Sequence, residues 1–164
     1  MKILVCGLPG SGKTWLSERL VKYIKNCAWY NADVVRKFSN DWDFSMEGRI
    51  RQANRMKTFA DFERTNGRWV ICDFVAPTEK VREAFAPDHV IWMDTIKEGR
   101  IVLSKLNELK NINNLPFDAK TLSKSKEFDD TNKMFETPKK TDTHIKNFLS
   151  EDEIIKLAED IINV

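Results

Sequence analysis

Between positions 7 and 14 the chain reads Gly7-Leu8-Pro9-Gly10-Ser11-Gly12-Lys13-Thr14, which fits G-x-x-x-x-G-K-[ST] at every fixed position. Glycines at this spacing let the backbone curl until successive N–H groups point at phosphate oxygens. A helix opening on the loop adds its positive end. In such a cradle Lys13 reaches the β- and γ-phosphates, and the Thr14 hydroxyl ligates Mg²⁺. A chance match in a chain of this length falls below about one per cent, given ordinary residue usage. The nucleotide-binding candidates are therefore Gly7, Pro9, Gly10, Ser11, Gly12, Lys13 and Thr14.

Three acids stand just after apolar runs. Asp33 follows Ala28-Trp29-Tyr30, Asp73 follows Trp69-Val70-Ile71-Cys72, and Asp94 follows Val90-Ile91-Trp92-Met93. In open α/β folds, ligands bind at the carboxyl ends of such strands. Asp33 there can orient Mg²⁺ through water or take the proton of an attacking hydroxyl, unless it only caps a helix. Asp73 is balanced between metal or base assistance and a structural cap, and Asp94 reads as structural. Arg36, Arg49, Arg51 and Arg55 crowd the segment after Asp33. Singly each suits a solvated helix face, but together they point to an anionic acceptor, because a guanidinium donates two parallel hydrogen bonds. His89 and His144 are isolated and carry no assigned role.

These residues need a scaffold of alternating strands and helices. Ile3-Leu4-Val5-Cys6 is a short apolar run ended by glycine, which predicts a buried strand. Leu16, Leu20 and Ile24 recur at helical spacing, so a helix starts near Gly12. Ala28-Trp29-Tyr30, Trp69–Cys72 and Val90–Met93 are further strands, with Trp69 and Trp92 read as core. A long helix from Glu47 to Arg64 presents Ile50, Ala53, Met56, Lys57 and Ala60, and Gly67 stops it. A short helix spans about Thr78 to Phe85. Ser150-Glu151-Asp152-Glu153 is a capping box that opens a last helix. Continuous apolar strands separated by helices predict a parallel sheet covered on both faces. From Ile101 to about Lys146 lysines and turn residues dominate, with too few apolar residues for a second core.

At 164 residues, one domain over 1–164 is expected, with a lid-like excursion at about residues 97–127. Lys+Arg 27 against Asp+Glu 25 leaves a net charge of +2, which argues against a general nucleic-acid or membrane coat. No apolar run approaches the ~18 residues of a membrane span, and no secretory signal is expected. Cys6, Cys27 and Cys72 form no C-x-x-C pair, so a reducing, cytoplasmic compartment is the expectation, without zinc or disulfides. The size, the early cradle and the late lysine-rich excursion suggest a small-molecule kinase whose lid excludes water from ATP.

The chain also resembles the adenylyl-sulfate kinase family over roughly residues 1–95 and 126–138. Beyond the cradle, the family's Asp-Gly-Asp-x-x-Arg is similar to Asn31-Ala32-Asp33-Val34-Val35-Arg36, with Asn31 in place of the first acid. Its Asp-Leu-Gly-Phe-Ser-x-Glu-Asp-Arg is similar to Asp41-Trp42-Asp43-Phe44-Ser45-Met46-Glu47-Gly48-Arg49. Its Ser-Phe-Ile-Ser-Pro is matched by Asp73-Phe74-Val75-Ala76-Pro77, and a late stretch aligns on Phe128 to Pro138. The family's lid signature Lys-Gly-Leu-Tyr-Lys-Lys is absent, and Gln52 and Asn54 depart from its usual Asn and Arg.

The resemblance implies a three-layer α/β P-loop kinase fold that uses ATP and Mg²⁺ and phosphorylates the 3′-hydroxyl of adenylyl sulfate. It implies that Lys13 and Asp33 are catalytic, with Thr14 and Asp33 near the metal. Arg36 and Arg49 would hold the phosphosulfate, and Phe44 and Phe128 would clamp the acceptor adenine. The substrate-side candidates are then Arg36, Phe44, Arg49, Asp73 and Phe128. Partners are small molecules rather than membrane or nucleic acid, with a homodimer left open. Two alternatives remain at this stage: the same build acting on another nucleoside, nucleotide or modified-base acceptor, and an ATP-binding module without turnover.

Overall fold

The computed structural model describes residues 1–97 and 129–164. Its centre is β1 (Lys2–Gly7), buried at every position: the run Ile3–Cys6 is apolar, and Lys2 is buried with its ammonium 2.8 Å from the Asp61 carboxylate. β2 (Cys27–Asn31), β3 (Trp69–Asp73), β4 (His89–Met93) and β5 (Thr143–Ile145) complete a sheet of order β2-β3-β1-β4-β5. Every pairing is parallel. The chain ends of the central strands therefore gather at one edge.

Side chains alternate across β1, so two cores form. Leu4 and Cys6 face α2 (Ala32–Ser39), α3 (Met46–Thr65) and α4 (Glu79–Phe85), packing with Val35, Met56, Val81 and Phe85. Ile3 and Val5 face α1 (Lys13–Tyr23) and α5 (Glu151–Ile162), packing with Leu16, Leu20, Ile154 and Ile161. This is the expected three-layer α/β arrangement. Cys6 and Cys72 are buried small hydrophobes. Among the described residues, no helix is long and apolar enough to cross a membrane.

Helix starts follow their caps. Ser45 accepts from the Gly48 amide at the head of α3, and Thr78 accepts from Val81 at the head of α4. Ser150 and Glu153 form the reciprocal capping box of α5. The long helix ends at Asn66, with Gly67 beyond it at φ 71.

Four expectations change. Residues 32–39, to which the sequence assigned no element, form α2: Asn31 caps it, Asp33 lies in its first turn, and Asn40 closes it at φ 47. At eight residues it is shorter than the window over which a helical period is read. The stretch to Lys146 is not all excursion, because Thr143–Ile145 returns as β5 beside β4. Only three residues long, that strand left no readable alternation. Trp69 and Trp92 are only partly buried, and Trp92 stacks on His144 with ring centroids 4.2 Å apart. His144 thus has a place after all, and it also bonds the Asp94 carboxylate at 3.0 Å. The lid reading at 97–127 falls almost wholly outside the described residues.

Candidate active site

The loop joining β1 to α1 has a backbone that only glycine supports. Gly10 and Gly12 sit at φ 89 and 92, and a Cβ on Gly7 would lie 2.5 Å from the Met93 carbonyl oxygen. Thr95 Oγ1 donates to the Ser11 carbonyl at 2.7 Å and braces the loop from β4's end. The Ser11 hydroxyl is buried without a partner among the described residues. A buried hydroxyl left unbonded is costly, and an anion held by the loop amides would satisfy it. Lys13 Nζ folds back to the Leu8 carbonyl at 3.0 Å, at the first turn of α1. Orphan hydroxyl, glycine curl, lysine and helix start together fit a bound phosphate chain with its metal.

At the sheet edge, Thr14 meets Asp73. Thr14 Oγ1 donates to Asp73 Oδ2 at 2.7 Å, Trp29 Nε1 donates to Oδ1 at 2.7 Å, and Asn31 Nδ2 donates to Oδ2 at 3.0 Å. Burial pushes the Asp73 carboxyl up from its ordinary range, and these donors together with Lys13 pull it back. Asp73, counted above with the substrate-side residues, therefore faces the phosphate loop, although it also lines the adjoining cavity. Asp33 is exposed on the same cavity's wall. Asp94 is tied to His144 and Lys97, in keeping with its structural reading.

That cavity, about 540 Å³, opens from the phosphate loop between α2 and α3. Two arginines form its polar wall. Arg36, buried, donates to the Asp41 and Asp43 carbonyls at 2.8 and 3.1 Å, and its guanidinium lies 4.5 Å from the Phe44 ring centroid. Burial pulls Arg36 below its ordinary range, opposed by Asp41 and Asp33, yet a guanidinium stays charged. Arg49, also buried, donates to the Phe44 carbonyl at 2.9 Å and to Thr131 Oγ1 at 2.8 Å, and lies 5.5 Å from the same ring. Phe44 is half-buried, with both guanidiniums over its ring.

The arginine cluster divides. Arg51 and Arg55 do not line the cavity; both turn to Asp41, Arg51 in a fork at 2.8 and 3.0 Å and Arg55 at 2.9 Å. Their partner lies across the loop that carries Phe44, so they hold that loop instead of an acceptor.

A model of the adenylylsulphate kinase family matches residues 1–146. The chain belongs to the adenylylsulphate kinase family. A probable adenylyl-sulfate kinase of Aeropyrum pernix is 33% identical over 89 residues, which are 49% of this chain and 46% of that protein. The match thus spans under half the length of that curated relative. Among solved structures, a Mycobacterium tuberculosis APS kinase in complex with AMPPNP and APS superposes with TM-score 0.65 at 19% identity. The superposition covers 99% of this chain and 95% of that one. A sugar kinase from Janibacter gives TM-score 0.63 at 15% identity over 99% and 94%. Likenesses this distant in sequence establish the P-loop kinase fold.

The structure brings Lys13, Thr14, Asp33, Arg36, Phe44, Arg49 and Asp73 together on the wall of one cavity. Phe128 lies outside the described residues. Trp42 and Thr131 also line the cavity and were missed. Thr131 had no local signal, since its bond to Arg49 spans 82 positions. The contact brings the segment that begins at residue 129 to this site. That segment is pinned again where the Glu136 amide donates to the Pro77 carbonyl at 2.7 Å and Arg82 donates to the Glu136 carbonyl at 2.8 Å.

The Asp41 hub carries a pH signature. Hydrogen bonds from Arg51, then Arg55, hold its carboxyl well below the usual carboxylate range. A depressed folded value means its stabilisation is complete above the unfolded value of about 3.9 and is lost as pH falls toward the folded one. Melting temperature measured from about pH 5 down to pH 2 is expected to fall less steeply in Asp41→Asn than in the wild type. Parallel slopes would remove Asp41 from the acid transition.

Proposed function

We propose that the protein transfers the γ-phosphoryl group of ATP to the 3′-hydroxyl of adenylyl sulfate, giving 3′-phosphoadenylyl sulfate and ADP. One observation carries the reading: two buried guanidinium groups lie over a half-buried aromatic ring in a cavity that opens directly onto a glycine-rich loop. Buried arginines suit an acceptor with fixed anionic groups, and an aromatic beside them suits a base. Membership of the family supports the same acceptor.

In this reading the cradle amides, the Ser11 hydroxyl and Lys13 bind the ATP phosphates and keep the γ-group fixed. Lys13 offsets charge on the group in flight. Arg36 and Arg49 hold the phosphosulfate, Phe44 stacks on the acceptor base, and Asp33 orients the acceptor hydroxyl and accepts its proton. Thr14 and Asp33 are the residues that would hold Mg²⁺. Held there, Mg²⁺ would supply positive charge to offset the charge that develops on the phosphates. Three free cysteines, two of them buried, support a reducing cytoplasmic setting.

An ADP-release assay across adenylyl sulfate, AMP, nucleosides and a no-acceptor control tests this. Adenylyl sulfate is expected to give the highest kcat/KM, with phosphorus NMR reporting a new 3′-phosphomonoester. Faster turnover with another acceptor would reassign the pocket, and ATP binding without turnover would return the protein to a binding module.

A further inference from the structure

The ends of β2 and β3 hold a pair whose arrangement sets the electrostatics of the metal side of the cradle. Asn31 and Asp73 are register partners across the two strands. The Asn31 carboxamide is fixed in orientation: its Oδ1 accepts the Val34 amide at 3.1 Å as the cap of α2, which turns Nδ2 toward Thr14 and Asp73. From there Nδ2 donates to Asp73 Oδ2 at 3.0 Å and to Thr14 Oγ1 at 3.1 Å.

The Thr14 hydroxyl has one proton and two lone pairs to place. The proton goes to Asp73 Oδ2, and one lone pair takes an Asn31 amide proton. The remaining lone pair is fixed in direction by the other two bonds. Asp73 receives hydrogen bonds from Thr14, Trp29 and Asn31 and is only 2% exposed. Its part is to aim Thr14.

We propose that Asn31 and Asp73 act as one positioning pair for Thr14 that works with a single carboxylate, and that this carboxylate can stand on either strand. The inference rests on the reading that the loop binds ATP with a divalent metal. In Asn31→Asp, one carboxylate oxygen would still cap α2. The other would face Asp73 Oδ2 at hydrogen-bond distance, with no proton between the two anions. In Asp73→Asn, Thr14 is left between two carboxamides, with no anion to fix its proton. Exchanging both restores every bond. The carboxylate on β2 then accepts from Thr14 and from the carboxamide on β3, and the α2 cap survives. The Trp29 indole N–H finds the carbonyl oxygen of that carboxamide.

The test uses Mn²⁺ as the metal probe, titrated by electron paramagnetic resonance into the full chain saturated with a non-hydrolysable ATP analogue. Asn31→Asp and Asp73→Asn are each expected to raise the Mn²⁺ Kd by about tenfold or more, and the double exchange to return it to within about threefold of wild type. Unchanged Mn²⁺ affinity in Asn31→Asp, or a double variant no better than the singles, overturns the proposal. If a single variant unfolds, the double variant still decides: folded and metal-binding supports the pair, whereas folded without binding, or unfolded, overturns it. Analogue binding without metal, followed by tryptophan fluorescence, is expected to stay near wild type in all three. Failure of the wild type to bind the analogue at all would instead remove the ATP reading on which the inference rests.

Discussion

Lys13→Ala is expected to lower kcat by ~10²–10³, the cost of losing one preorganised charge stabiliser in a phosphoryl-transfer site. The melting temperature is expected to stay near that of the wild type. Both halves follow from where Lys13 sits. It belongs to neither core cluster, and its ammonium returns to the Leu8 carbonyl of its own loop at 3.0 Å. Truncation removes no core packing and leaves the glycine-imposed curl of the loop intact. A charge that acts mainly as the γ-phosphoryl group moves should appear in kcat more than in ATP affinity. ADP release gives the first quantity and analogue binding the second. A variant with near-wild-type turnover would remove the kinase reading altogether, because no other ammonium stands in the cradle among the described residues.

What the sequence could and could not disclose divides by the range of the interactions involved. The phosphate loop is local: strand, glycines, lysine and helix lie within one unbroken stretch, so residue types and spacing reveal both its shape and its chemistry. The same holds for the capping box at Ser150, whose partners are three residues apart. Where two distant segments decide an outcome, the pattern is silent. Arg51 and Arg55 look no different from Arg36 and Arg49 along the chain. They part company because the Asp41 carboxylate takes the hydrogen bonds of two of them while the guanidiniums of the other two lie over the Phe44 ring. Asp73 was weighed as acid or cap without resolution. Strand register, which no single strand encodes, is what sets it beside Asn31 and against Thr14. β5 is the extreme case, three residues recognisable only through the neighbour they pair with.

Phe44→Ala is expected to raise the acceptor KM by roughly 5- to 150-fold, the equivalent of ~1–3 kcal/mol of base stacking, with little change in the KM for ATP. The competing possibility is that Phe44 is simply core. A buried phenylalanine truncated to alanine costs ~3–5 kcal/mol of stability. Phe44, however, is half-buried, belongs to neither core cluster, and lines the cavity. Its neighbours on the protein side are the Arg36 and Arg49 guanidiniums, contacts that contribute ~0.5–2 kcal/mol each depending on their desolvation. Some loss of stability therefore accompanies the substitution, and melting temperature alone does not separate the two roles. Phe44→Leu does. Leucine keeps apolar bulk against the arginines but presents no π-face to a base. It is expected to restore most of the melting temperature while leaving acceptor KM raised. If leucine instead recovers both together, the ring serves packing, and the acceptor site must find its aromatic elsewhere.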